Sequence, residues 1–189
     1  MSQLKKINNK VLIFSFVAVF TLPVILAKFA LEYDWFNQAA TNSGELLNPA
    51  LDMSSLSDQA HPPKWKFLYI LPTQCDVNCT NALYSLTQVW SALGKEQGRA
   101  ESVVIVLPDS DTMALNTLAQ NVHLRVIDTD QQSVNQVFKD VRTNGIFIAD
   151  TLNNIILRYP TQSDPQQAVL HSRDILSDMR KVLKLSRIG

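Results

Sequence analysis

An uncharged apolar run near the N-terminus divides the chain into two parts of different character. Residues 11–27 carry no charged side chain, and a helix of that length rises roughly 26 Å at about 1.5 Å per residue. This approaches the roughly 30 Å hydrocarbon core of a bilayer, so we predict a transmembrane anchor over residues 11–28. A cleaved signal peptide is the alternative, although Ala27-Lys28-Phe29-Ala30 is a poor cleavage site.

The charges on either side of this run predict its orientation. Three lysines precede it within residues 1–10, and two acidic residues, Glu32 and Asp34, follow shortly after it. Because positive charge is retained on the cytoplasmic side of a membrane, we predict a cytoplasmic tail over residues 1–10. Everything after the anchor then lies on the opposite side, where unprotected cysteine pairs tend to become oxidised.

Composition places one soluble domain after the anchor. The chain has 189 residues, with 17 basic and 17 acidic side chains, so nothing indicates a nucleic-acid binder. Residues 29–63 include a stretch rich in Asn, Ser, Asp and Pro and are predicted to be a periplasmic linker that ends at Pro62-Pro63. The domain itself is predicted to cover residues 64–189.

Strand-like and helix-like patterns alternate through this domain. The predicted strands are Lys66–Leu71, Ser102–Leu107, Leu124–Ile127, Ile146–Ala149 and Ile155–Tyr159. The predicted helices are Cys79–Leu93, Thr112–Asn121, Ser133–Val141 and a last one opened by Pro165 and capped by Asp164. The final two strands are close enough for an antiparallel hairpin. This order predicts an α/β domain with a mostly parallel sheet and helices on both faces.

The only two cysteines of the chain, Cys75 and Cys79, follow the first strand of the domain at the start of a helix. A helix N-terminus stabilises a thiolate and lowers the thiol pKa, as both metal binding and disulfide exchange require. With Cys75 as the helix cap, regular helical spacing leaves β-carbons about 5–6 Å apart, whereas a disulfide needs about 3.8 Å. A bridge therefore requires Cys75 to leave helical geometry, and the spacing favours a metal.

Thiols at the first strand–helix turn, a late hairpin and a closing helix together resemble the thioredoxin fold. Residues 124–141 would then be an additional strand–helix insertion. An exported, membrane-anchored domain with Cys75-x-x-x-Cys79 also resembles the Sco/SenC copper chaperones, over residues 65–185. This resemblance implies a bacterial inner-membrane protein with a periplasmic domain, Cu(I) bound by Cys75 and Cys79, and cytochrome oxidase subunits or other assembly factors as partners.

The chain also resembles a small bacterial group associated with cytochrome oxidase biogenesis, more strongly than it resembles Sco proteins proper. The segments that carry this resemblance are residues 35–37, 42–49, 83–95, 157–160 and 184–189. Three positions depart from the Sco and thioredoxin patterns. The loop of residues 140–145 lacks the copper-binding histidine of Sco proteins, Thr80 replaces the proline usual after the second cysteine, and Gly145 stands where thioredoxins have a cis-proline.

Position argues against other side chains as ligands. The three histidines, His61, His123 and His171, fall outside the loop beside the thiols and are predicted to be surface or packing residues. Met113 is a soft ligand in principle, although a methionine in a helix is by default a core residue. Asp109 and Asp111 follow a strand end, where helix capping explains them, and Asp109 or Ser110 is predicted to cap the next helix.

Three functions remain open for the cysteine pair. Cys75 and Cys79 bind Cu(I) for delivery to an oxidase, or they cycle between dithiol and disulfide as a thiol–disulfide oxidoreductase that keeps the oxidase's copper-ligand thiols reduced. In the third, the domain is a non-catalytic scaffold of the assembly machinery, and the pair is structural or idle.

Overall fold

The computed structural model describes residues 9–32, 42–56, 62–120 and 123–187. The chain forms two compact units, Met1–Thr41 and Asn42–Gly189. Helix α1 of the first unit spans Asn9–Glu32. Its segment Leu12–Ala30 is long and apolar enough to cross a membrane, and no other helix in the described ranges is. A signal sequence has the same length and composition, so the two interpretations of this segment both stand.

The second unit is built on a six-stranded sheet of order β1-β6-β5-β2-β3-β4. Its strands are β1 Glu45–Asp52, β2 Trp65–Ile70, β3 Ala100–Val106, β4 Leu124–Asp128, β5 Gly145–Ala149 and β6 Asn154–Pro160. Its α-helices are α2 Val77–Ala92, α3 Thr112–Ala119, α4 Gln131–Phe138 and α5 Pro165–Leu185, and a short 3-10 helix covers Gly94–Arg99. Strands β2, β3 and β4 run parallel, and β1, β6, β5 and β2 pair antiparallel.

Helices cover both faces of the sheet. Along β2, Phe67 and Tyr69 join a core formed with α2, α3 and α5, whereas Leu68 and Ile70 join a second core with α4. Strands β2, β3 and β4 follow one another across the sheet in one direction. Right-handed crossovers therefore place α2 and α3 on the same face, side by side.

Most of the predicted architecture is confirmed. Helices lie on both faces, β5 and β6 form the hairpin, and α5 closes the fold from Pro165 with Asp164 as its cap. β4 and α4 form where they were expected, and their interpretation as an insertion stays a prediction. The sheet, however, is mixed rather than mostly parallel, because two of its strand pairs are parallel and three are antiparallel. The additional antiparallel pair comes from β1.

Strand β1 lies within residues 29–63, so the prediction of a linker throughout that range is wrong. β1 pairs with β6 at one edge of the sheet, and most of its residues are exposed. An exposed edge strand needs little apolar alternation, since its backbone bonds to a neighbour hold it in place. The residues that fix it lie elsewhere in the sequence.

A buried carboxylate, Asp178 of α5, fixes the chain just before β1. Asp178 accepts hydrogen bonds from the backbone N–H groups of Ser43 (2.7 Å) and Gly44 (3.1 Å) and from the Tyr159 hydroxyl (2.8 Å). Lys181 forms an ion pair with it at 2.8 Å. We call these five residues the Asp178 cluster. It brings together three segments of the chain, since Ser43 lies 135 residues and Tyr159 lies 19 residues from Asp178 in sequence.

Contacts within the cluster shift the pKa values of Asp178 and Tyr159. Burial alone would raise the pKa of Asp178, but the bonds from Lys181, Tyr159 and the two backbone N–H groups outweigh burial and leave this pKa below its usual value. Burial and the neighbouring carboxylate raise the pKa of Tyr159. At neutral pH, Asp178 is therefore ionised and Tyr159 is a hydrogen-bond donor.

Candidate functional site

Cys75 and Cys79 form a disulfide, with 5.1 Å between their Cα atoms. The cap of α2 is Asp76 rather than Cys75, and its Oδ1 accepts the Cys79 N–H at 3.0 Å. Cys75 thus precedes the helix, whereas Cys79 lies in the first turn. Because Cys75 is free of helical geometry, the bridge forms easily, and the spacing no longer favours a metal over a disulfide.

The two sulfur-bearing residues differ in exposure. Cys79 packs in the core with only 1% of its surface exposed, whereas Cys75 is partly exposed at the edge of that core. Thiol–disulfide exchange depends on which sulfur an incoming group can reach. Cys75 is the accessible member of the pair.

Asp111 positions the backbone of Cys75. One of its oxygens accepts the Cys75 N–H at 3.0 Å, and the other accepts the N–H groups of Met113 and Ala114 at 2.9 and 3.1 Å, which caps α3. The N–H groups of Cys75 and Ala114, in that order, hold the pKa of Asp111 below its usual value. A single carboxylate therefore connects the cysteine loop to α3.

Capping by Asp111 agrees with the helix-capping role predicted for it, although Asp109 or Ser110 was named as the cap of this helix. The bond from the Cys75 N–H to Asp111 was not predicted. Ser110 instead joins the two loops. Its buried hydroxyl donates to the Leu71 carbonyl at 2.8 Å and accepts the Leu107 N–H at 2.9 Å. A signal was present in the sequence, because parallel strands β2 and β3 end at the same edge of the sheet. An acid after one such strand can therefore reach the loop after the other.

Asp76 adds a second carboxylate at the start of α2. It accepts the Cys79 N–H first and the Asn78 side-chain amide second, and both bonds lower its pKa. Its charge also acts on Tyr69 of β2, where burial first and Asp76 second raise the pKa to about 12. The N-terminus of α2 is therefore flanked by an ionised, solvent-exposed carboxylate next to the disulfide.

Two concave regions flank the cysteine loop on different sides. One, which we call the polar cavity, has a volume of about 410 Å³ and is lined in part by Gln74, Asp76, Thr143 and Asn144. The other, which we call the Cys75 groove, has a volume of about 310 Å³ and lies between α2 and α3. Cys75 lines the second of these.

The loop of residues 140–145 lies beside the cysteine loop, where the Sco resemblance places it, since Thr143 and Asn144 share the polar cavity with Gln74. The structure describes this loop throughout, and it contains no histidine. Elsewhere in the described ranges, no three histidine, cysteine or acidic side chains cluster as metal ligands. The reduced pair would thus offer two sulfur ligands.

The remaining candidate ligands are accounted for individually. His123 stacks on Trp90 with 4.5 Å between ring centroids, and His171 lies 3.3 Å from the Gln162 amide, so both are packing or surface residues as predicted. His61 lies outside the described residues. Met113 is 81% exposed, so the prediction of a core methionine is wrong.

Solved structures with similar folds include three from different organisms. Copper-bound ScoI of Bradyrhizobium japonicum is 17% identical, and the match covers 69% of this chain and 97% of that chain with a TM-score of 0.44. Copper-bound ScoI of Arabidopsis thaliana is 14% identical, and the match covers 73% of this chain and 98% of that chain with a TM-score of 0.48. A proposed thiol:disulfide interchange protein DsbE of Chlorobium tepidum is 17% identical, and the match covers 72% of this chain and 94% of that chain with a TM-score of 0.45. At these identities and TM-scores, the likenesses carry no argument about function.

Family membership rests on the sequence of the domain. No curated protein matches the chain. A family model described as "Transmembrane-like, thioredoxin-like, C-terminal domain" matches residues 65–186, the range that contains β2 to α5 and the disulfide. The match covers well over half of the chain, and so the chain belongs to this thioredoxin-like family.

Proposed function

We propose that this chain is a membrane-anchored, thioredoxin-like protein that reduces disulfides of a partner through Cys75 and Cys79. The observation that carries the proposal is the asymmetry of the pair, in which an accessible Cys75 is bonded to a buried Cys79 at the start of α2. Inert structural disulfides have no need of one accessible sulfur beside a helix N-terminus.

The exchange takes place in two steps that balance. In the reduced chain, the Cys75 thiolate attacks one sulfur of the partner's disulfide, and the other partner sulfur leaves as a thiolate. The Cys79 thiolate then attacks the Cys75 sulfur, releasing the second partner thiolate and forming the disulfide seen here. Two electrons pass to the partner, and a dithiol donor on the same side of the membrane must restore the reduced pair.

The burial of Cys79 assigns the two sulfurs different roles. Because Cys79 is enclosed by the core, an external disulfide reaches Cys75 alone, and the mixed disulfide forms there. Cys79 then resolves it from within. The two-residue offset of Cys75 from the start of α2 leaves the first sulfur at the surface while the second stays inside.

The compartment and the client complete the proposal. The α1 segment anchors the chain in the bacterial inner membrane with residues 1–10 in the cytoplasm and the domain in the periplasm, where it supports assembly of cytochrome oxidase. The lysines before the span and the acids after it support this orientation. Protease added to spheroplasts is expected to digest the domain, and protection of the domain until lysis would contradict this placement.

The exchange is tested with the full-length chain in lipid nanodiscs. We expect a reduction potential above the roughly −300 mV typical of inert structural disulfides. Cys75→Ser abolishes reduction of a disulfide-bonded model peptide, whereas Cys79→Ser accumulates a mixed disulfide with it. A matched control, His171→Ala, leaves the reaction unchanged. A bridge that resists glutathione would contradict the exchange function.

Cu(I) delivery is the second candidate, favoured by the closeness of the two sulfurs at one helix end. On reduction, two thiolates can hold Cu(I) in a linear site without a third ligand. The reduced chain is then expected to bind roughly one Cu(I), which is lost in Cys75→Ser and in Cys79→Ser and kept in His171→Ala. Binding no greater than that of the double cysteine variant would exclude this function.

The scaffold alternative has its own outcome. If the Cys75→Ser/Cys79→Ser double variant supports normal oxidase assembly in cells, neither thiol chemistry nor copper delivery is required. The domain would then act through its surface, and the disulfide would be structural.

A further inference from the structure

The Cys75 groove is more apolar than the polar cavity. Helices α2 and α3 form its walls, with Leu83 and Tyr84 on one side, Leu118 on the other and Leu124 of β4 at its end. Tyr84 is 58% exposed although it is aromatic. Resting on the exchange function above, we propose that this groove binds an uncharged, apolar polypeptide segment that carries the partner's reactive cysteine.

The chemistry of the lining selects for such a segment. None of the groove's lining residues is charged, so the groove offers no ion pair to an acidic or basic peptide. Its three threonine hydroxyls are also already engaged, because Thr80, Thr87 and Thr117 donate to carbonyls of their own helices at 3.0, 3.2 and 3.3 Å. An acidic side chain placed here would find no free hydroxyl hydrogen on these threonines and would exchange part of its hydration for an apolar lining.

The position of the groove supplies the second argument. Cys75 is the only residue of its lining that can form a bond to sulfur, so a segment lying in the groove brings its own sulfur to the accessible end of the disulfide. The polar cavity is lined by Gln74 and Asp76 but not by Cys75. Recognition and exchange therefore meet in the groove and not in the cavity.

Topology explains why this groove exists. The inserted strand β4 continues the parallel order of β2 and β3, and this order places α3 on the same face as α2. Leu124, the first residue of β4, closes the end of the groove. The insertion thus adds a recognition surface beside the cysteine loop.

The test uses the reduced, full-length Cys79→Ser chain in lipid nanodiscs and measures the rate at which Cys75 attacks peptides whose single cysteine is blocked with thionitrobenzoate. An apolar peptide with Leu and Ala around its cysteine is expected to react about tenfold faster than one with Asp and Lys, since burying one apolar side chain contributes enough free energy for such a factor. Thr117→Glu, an exposed change in the groove, removes this advantage.

A neighbouring substitution provides the matched control. Asn116→Glu adds the same charge to an exposed position of α3 outside the groove lining, and it is expected to keep the preference for the apolar peptide. Equal rates for the two peptides, or equal effects of Thr117→Glu and Asn116→Glu, overturn the inference.

Two further readouts separate this inference from its alternatives. The mixed disulfide of mercaptoethanol and thionitrobenzoate is too small to fill the groove, so its reaction with Cys75 reports the exchange function alone. If this reagent reacts while the peptides show no preference, the groove inference fails and the exchange function stands; if it does not react, the exchange function itself fails. A dimer in analytical ultracentrifugation that Thr117→Glu abolishes would assign the groove to a second copy of this chain and overturn the proposal.

Discussion

Two carboxylates in this domain each fix a chain segment by accepting backbone N–H groups, one in buried and one in partly exposed surroundings. Asp178 accepts the N–H groups of Ser43 and Gly44 and fixes the chain before β1, whereas Asp111 accepts the N–H groups of Cys75 and two α3 residues and fixes the cysteine loop. Asp178 is 1% exposed, and Asp111 faces solvent in part.

The difference shows how burial divides the two roles. Loss of the Asp178 carboxylate leaves the buried Tyr159 hydroxyl without an acceptor and without water to replace it, so Asp178 is expected to decide the stability of the fold. The donors around Asp111 are near solvent, where water can replace the lost oxygen. Asp111 is therefore expected to matter more for the placement of Cys75 than for folding.

The largest expected effect is that of Asp178→Ala. It removes a buried carboxylate that accepts hydrogen bonds from two backbone N–H groups, the Tyr159 hydroxyl and Lys181. Hydrogen bonds to charged groups contribute about 1.5–3 kcal/mol each, so a loss of about 3 kcal/mol or more is expected. Urea unfolding gives the free energy. Asp174→Ala, an exposed change one turn earlier in α5, is the control; equal losses for the two variants would contradict the special role of Asp178.

Gly44→Ala tests whether the Asp178 cluster tolerates a shift. A Cβ at Gly44 would lie 2.5 Å from the Tyr159 ring, and that ring cannot retreat because its hydroxyl is bonded to Asp178. Overpacking of this kind costs about 1–3 kcal/mol. Gly98→Ala meets nothing within 4 Å and serves as the control in the same unfolding experiment. A neutral Gly44→Ala would show that the cluster is loose.

Asp111→Ala extends the comparison to the cysteine end. Loss of the α3 cap is expected to destabilise the domain slightly, as the loss of a helix N-cap does, and to change the rate at which Cys75 reacts with small disulfides, since its backbone bond is lost. Asp130→Ala removes the α4 cap bond to Ser133. This control is expected to lose similar stability while Cys75 reacts at an unchanged rate. If both variants change the Cys75 rate equally, Asp111 has no specific role in placing Cys75.

The smallest expected effect is in the pH dependence of stability. The folded-state pKa of Asp178 lies below its usual value, so its ionised form stabilises the fold above the unfolded pKa of about 3.9, and this contribution is lost as the pH falls through the folded pKa. Asp178→Asn is expected to flatten the fall in unfolding free energy below about pH 4. Asp111→Asn should flatten it less, because solvent screens its interactions; the reverse order would contradict the comparison.

The sequence predicted five of the six strands because their burial patterns are local. β2 is buried at every residue, and such apolar runs are visible without any partner. β1 was missed because most of its residues are exposed and because the residue that fixes its start, Asp178, lies 135 positions away from Ser43. A long-range hydrogen bond of this kind leaves no periodic signal.

The candidate site was predicted in its residues but not in its geometry. The position of Cys75 and Cys79 after the first buried strand was sufficient to select them as candidates, and their role in function stays a prediction. The geometry of the cysteine pair depends on where α2 begins. The cap of this helix is Asp76, one residue later than the predicted cap Cys75. The resemblance to Sco proteins led to an expectation about residues 140–145, but the Cys75 groove depends on where α3 lies relative to α2, which no local pattern encodes.

The two outer strands of the sheet carry a last consequence. β1 ends the sheet on one side and contains Pro49, which has no N–H to offer a neighbour; β4 ends it on the other side and is only five residues long, with charged Arg125 and Asp128. Both borders therefore discourage the addition of a strand from another chain. Two copies of this chain in the same membrane can therefore come into contact without pairing their edge strands. Any contact between them then depends on side chains rather than on backbone hydrogen bonds.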